Sequence, residues 1–167
     1  MAQIKAELFA EAAFAYRDSH IPYSKLDCQA FVERVLKDCG VVRDWKGSND
    51  MWRNALSWRG TYNDAILKYG KIPKGAWLFT VKNDGGEKAR GYNDSDGNAA
   101  HVGIYTALGL GAMHSSTGGV QECECPSNRW THVGLAKDVD YTAKTEVEEL
   151  FANLYSILKS LEKRYLK

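Results

Sequence analysis

Apolar residues recur at helical spacing through the first part of the chain and in short alternating runs through the second. Ile4, Leu8, Ala12 and Ala15 mark one side of a helix over about 3–18. Phe31, Val32, Val35 and Leu36 mark a second over 28–39, with Asp27 as N-cap and Gly40 as stop signal. A third helical segment is predicted near 49–58. Beyond Gly70 the character changes. Gly70, Pro73 and Gly75 punctuate the chain, and "AWLFTV" reads as a short strand. "AAHVGIYTALG", "GAMHSST" and "GGVQECEC" follow as strands separated by glycines, and "THVGLAKDVDY" adds a fourth or fifth. The stretch "GGEKARGYNDSDGN" is a loop by composition. Val147, Leu150, Leu154, Ile157 and Leu161 then return to a helical period within 142–167. Helices first and strands second make an α+β domain over 1–141. The closing helix is wide enough in its apolar stripe to dock on that domain. An oligomer through this helix, as a short coiled coil, is the competing expectation.

The bulk numbers narrow the function classes. A chain of 167 residues suits one domain with its own core. A net charge of +1 gives no electrostatic case for nucleic acid or an acidic membrane. No apolar run approaches the roughly 20 residues that span a bilayer. Lys5, Glu7, Glu11, Arg17 and Asp18 interrupt the first segment, so it lacks a signal-peptide core. The expectation is action inside the cell, association with a phage particle, or export by another route, with the compartment left open.

Four cysteines do not make a disulfide framework here. Cys28 and Cys39 are eleven apart on one predicted helix, about 16 Å at the helical rise, too far to bridge. Cys123 and Cys125 alternate on a strand and share a face, where a bridge would be strained. With His132 they lack a fourth zinc ligand and the usual spacing. They read as two strand cysteines.

Cys28 stands apart. It falls in the first turn of the second helix, where unpaired backbone N–H groups and the positive end of the dipole favour a thiolate. The expectation is therefore a thiol pKa well below the ordinary value. Such a nucleophile needs an imidazole. His101 opens "HVGIY", where alternation sets His101, Gly103 and Tyr105 on one face and Val102 and Ile104 on the other. His114 lies on the next strand, and a hairpin would bring it near His101 at one sheet edge. One imidazole would then be the base and the other its orienter. His132 reads as structural. His20 lies in the loop before Cys28, and nothing in its spacing requires a role.

"DCQAFVERVL", "KGAWLF", "HVGIY" and "MHSST", in that order, resemble the motifs of the NlpC/P60 cysteine peptidases. The resemblance runs from about 21 to 141. It implies a papain-like α+β fold, with N-terminal helices packed on a central antiparallel sheet, and hydrolysis of an amide in the stem peptides of bacterial peptidoglycan. It implies Cys28 as nucleophile, His101 as base, His114 as third residue and Tyr23 on the substrate and oxyanion side, with no cofactor. Tyr23 packed in a turn after Pro22 is the plain alternative. Gln29 and Ala30 stand where the family usually has Ser and Gly, and Gly75-Ala76 where it has Gly-Asp.

Three rivals share these residues. One is an amidase or acyl transferase acting on another substrate. A second is a dormant wall-binding or assembly module. A third is a metal site from Cys28, His101 and His114 with water as fourth ligand. Trp45, Trp52, Trp58 and Tyr62 are read as packing groups rather than a sugar-binding surface.

Overall fold

The computed structural model describes residues 3–82, 89, 91–142, 150–151 and 154–159. The order is β1 (Ile4–Lys5), α1 (Ala6–Phe14), α2 (Cys28–Asp38), α3 (Ser48–Asn54), β2 (Leu56–Thr61) and α4 (Tyr62–Tyr69). Strands β3 (Trp77–Lys82), β4 (Asn98–Tyr105), β5 (Gly111–Ser116), β6 (Gly119–Glu124), β7 (His132–Ala136) and β8 (Val139–Asp140) follow. The expected α+β class holds. A six-stranded sheet has the order β2-β7-β3-β4-β5-β6, with antiparallel neighbours throughout. A separate parallel pair joins β1 to β8, Ile4 opposite Val139.

Two cores follow from strand alternation. Trp77, Phe79, Val102, Ile104 and Met113 face the helices and pack with Phe31, Val32 and Val35 of α2. Leu78, Ala112, Val133 and Leu135 pack on the other side with Ala65 of α4 and Trp130. Burial at these positions, at ~1.5–3 kcal/mol per large apolar side chain, drives the assembly.

α2 forms where the pattern puts it. Asp27 Oδ1 accepts the Ala30 N–H at 2.8 Å, and Lys37 sits in the last turn. α4 has a reciprocal Thr61/Asp64 cap and ends on Gly70 in the left-handed conformation.

The other helices depart from expectation. The first is shorter than 3–18, because Ile4 and Lys5 are drawn into β1, and the chain leaves α1 after Phe14. Its buried face is Phe9, Ala10 and Ala13, with Ala12 half-buried at its margin and Leu8 exposed, since Phe9 and Ala13 are the side chains that reach the shared core. The third stops at Asn54, because Leu56–Thr61 pair with β7 instead of continuing the helix. "THVGLAKDVDY" divides into β7 and β8, which belong to different sheets.

The closing segment is helical at 150–151 and 154–159. There Leu150, Phe151, Leu154, Tyr155, Ile157 and Leu158 are each at least 50% exposed. These side chains are not covered by the domain. Val147 and Leu161 of the expected stripe lie outside the described residues. Among the described residues no helix is long and apolar enough to cross a membrane.

Candidate active site

Cys28 is the first residue of α2, and it is buried against the sheet. The segment before it is held in place by the β5–β6 hairpin. Ser115 Oγ donates to the Leu26 carbonyl, and the Val120 N–H donates to the Ile21 carbonyl at 3.0 Å. The turn of the hairpin comes so close that a Cβ on Gly119 would sit 2.6 Å from the Ile21 oxygen. Lys25 and Leu26 both donate backbone N–H groups to the Pro22 carbonyl, making the turn that carries Tyr23. From there Tyr23 OH reaches Cys28 Sγ at 3.9 Å.

The expectation of a thiol acidified by the helix N-terminus is overturned. Burial pushes the Cys28 thiol up, and the neighbouring Asp27 carboxylate adds to this. The backbone amides of Val102 and Gln29 and the Tyr23 hydroxyl act the other way without winning. At rest the group is a thiol.

His101 and His114 come together as their strands predict. β4 and β5 pair antiparallel, and His101 Nε2 lies 2.8 Å from His114 Nδ1. Both strands are interior to the sheet rather than at its edge, since β3 and β6 flank them. Trp130 closes the pair off from one side. Its indole stacks on His101, centroids 5.6 Å apart and planes at 16°, and meets His114 edge-on at 5.8 Å. Burial draws both imidazoles down to about 4, helped at each by the charge of Arg129 and at His114 also by His101. The dyad is neutral near pH 7.

The four expected residues therefore form two pairs, Tyr23 with Cys28 and His101 with His114. No hydrogen bond joins Cys28 Sγ to His101. The sulfur lies at the amide of Val102, the residue after His101, so the pairs adjoin at one peptide of β4. Val102 points into the core shared with α2, and His101 lies against Trp130.

Gln29, where the resemblance leads one to expect Ser, ties down a neighbouring loop. Its amide donates to Glu33 Oε1 at 2.8 Å and to the Trp45 carbonyl, while Glu33 Oε1 also accepts the Trp45 N–H. Trp45 in turn packs edge-on against Trp77. Trp52 is buried against Phe79 and His132, and Trp58 packs on Tyr69, so these aromatics serve the core. His132 is half-buried beside Trp52 and bonds Thr131, as a structural residue would. His20 is exposed, with a φ of 47°.

Cys123 and Cys125 are free and face one core. Burial pushes the Cys123 thiol up to about 11. Among the described residues, no group of three or more His, Cys, Asp or Glu side chains is arranged to hold a metal.

Arg129 and Trp130 are site residues that the spacing does not reveal. The Arg129 guanidinium lies 3.3 Å from His114 Nδ1. Trp130, with Tyr62, Pro126, Ser127 and Asn128, also lines a cavity of about 300 Å³. Compared with models of protein families, with curated proteins and with solved structures, the chain gives no match.

Proposed function

We propose that the chain is a cysteine peptidase or amidase of papain-like architecture that hydrolyses an amide bond in peptidoglycan stem peptides. The observation that carries the chemistry is the His101–His114 hydrogen bond beside a thiol at a helix N-terminus. The substrate class rests on the resemblance of "DCQAFVERVL", "KGAWLF", "HVGIY" and "MHSST" to NlpC/P60 peptidases.

The protonation states dictate the order of events. A neutral thiol and a neutral imidazole call for general-base activation rather than a resting ion pair. As substrate seats, the thiol turns from Tyr23 to His101, a bond of the kind that tightens only in the Michaelis complex. His101 takes the proton while sulfur bonds to the carbonyl carbon, and the carbonyl electron pair moves to oxygen. The Cys28 N–H, unpaired in the first helical turn, and the Tyr23 hydroxyl meet that charge. The imidazolium then protonates the leaving amine as the C–N bond breaks. Water, deprotonated by His101, releases the acyl group, and the sulfur recovers a proton.

Mass spectrometry of soluble fragments from purified peptidoglycan tests this. Fragments released by wild type and absent with Cys28→Ala are expected, and their masses name the bond. No release by wild type would overturn the substrate class, and equal release by both would overturn the nucleophile.

A further inference from the structure

Arg129 is exposed, yet one end of its side chain reaches the dyad. Its carbonyl accepts the Thr80 hydroxyl at 2.8 Å, which pins the residue to β3 just before Trp130. Among the described residues no carboxylate pairs with it.

A guanidinium only donates hydrogen bonds. The His114 Nδ1 that faces it at 3.3 Å must therefore be an acceptor. The same nitrogen stands 2.8 Å from His101 Nε2, so the proton between the rings belongs to His101. A neutral imidazole carries one ring proton. His101 Nδ1 is then bare. It is the ring nitrogen nearer its own backbone, and the Cys28 sulfur lies at the next amide along, that of Val102. The opposite tautomer would aim a His114 N–H at the guanidinium and put a proton on His101 Nδ1. His101 would then have no free nitrogen to offer the sulfur.

We infer that Arg129 is a positioning residue whose N–H to His114 Nδ1 selects the tautomer leaving His101 Nδ1 free to take the Cys28 proton. This rests on the proposed cysteine chemistry for its purpose, though not for its test. The other titratable groups around the dyad are the Cys28 thiol from α2, Tyr23 from the turn before it and the Cys123 thiol of β6 behind Trp130 and Arg129, all neutral at pH 7. Arg129 is thus the charge that acts on both rings.

The test is two-bond ¹H–¹⁵N correlation of the histidine rings in the full chain, for wild type, Arg129→Met and Arg129→Lys. Wild type is expected to show His101 protonated at Nε2 and His114 bare at Nδ1. Arg129→Met should mix the tautomers and raise the imidazole titration midpoints by about one pH unit, the scale for one screened charge near 4 Å. Arg129→Lys, which keeps a donor and a charge, should restore most of the wild-type pattern. A wild-type His114 protonated at Nδ1, or Arg129→Met spectra and midpoints unchanged, would overturn the inference. An unchanged urea midpoint shows that Arg129→Met leaves the fold intact. A unfolded Arg129→Met variant would leave the wild-type ring assignment as the deciding result. Peptidoglycan release is read separately: tautomer control without release removes only the substrate reading, and release with an indifferent tautomer removes only the role of Arg129.

Discussion

His114 stands opposite Gly103, not opposite His101, in the β4–β5 register. The diagonal offset lets the two imidazoles meet nitrogen to nitrogen at 2.8 Å with their planes near perpendicular, where a directly opposed pair would lie side by side. Gly103 is small for the same reason. A Cβ there would sit 2.7 Å from Trp130 Cη2 and 2.9 Å from the Met113 carbonyl oxygen.

Gly103→Ala is accordingly expected to force Trp130 off His101. The cost should be ~1–3 kcal/mol, the usual range for overpacking a dense interior. Urea unfolding measures the loss, and near-ultraviolet dichroism of the tryptophans reports the displaced indole. A stable variant with an unchanged spectrum would show that the stack tolerates a methyl group.

Tyr23→Phe removes the one hydroxyl bonded to the Cys28 sulfur. That bond favours the thiolate, so its loss should move the thiol pKa further up, by under about one pH unit for a single neutral hydrogen bond. The pH dependence of iodoacetamide labelling, with fragment masses to assign the site, gives the value. Labelling of wild-type Cys28 at pH 7 should itself be slow, because burial holds the group as a thiol.

Acid should weaken the fold through the dyad. The two imidazoles sit near about 4 against about 6.5 in an unfolded chain. As pH falls, the unfolded chain binds protons first. The dyad's contribution is therefore full above about pH 6.5, declines below it and levels off once pH passes about 4, where the depressed carboxylates Asp50, Asp64 and Asp94 take over the acid loss. Urea midpoints across that window measure the slope. His101→Gln/His114→Gln should flatten it, leaving the smaller part due to His132, whose pKa burial also lowers.

His114→Ala should cost catalysis about 10²–10⁴-fold in kcat with little change in KM, since it orients the base without gripping substrate. Steady-state kinetics on the released-fragment assay decides this. A rise in KM at constant kcat would place His114 in substrate binding instead.

Much of this site is legible because its parts are local. Asp27, Cys28 and the 31/32/35/36 stripe lie within one helix, and "HVGIY" and "MHSST" lie within one hairpin. Asp27 caps the helix, and the hairpin joins the two histidines. What is not legible is non-local. β7 enters the sheet between β2 and β3, a pairing across many residues that no spacing announces. β2 escapes notice because "LSWRGT" has no clean alternation: a register shift after Leu56 turns Leu56 and Trp58 to different cores, and neither is fully buried. α4 did carry a signal, the Thr61-x-x-Asp64 box and the Gly70 stop, obscured by the tryptophans around it. The thiol pKa misled because helix position is visible in sequence, whereas burial under a sheet is not. Arg129 and Trp130 sit in a connecting loop with no period at all, and only the fold brings them to the histidines.

The β1–β8 pair has a mechanical consequence. The strands run parallel, so tension applied before Ile4 and beyond Asp140 drags them in opposite directions along their length. Their bonds, including that from the Ile4 N–H to the Asp138 carbonyl, must then yield together in shear rather than unzip in turn. Everything between them, from the helix of Cys28 to the hairpin of the histidines, hangs inside that clasp and feels no pull until it slips.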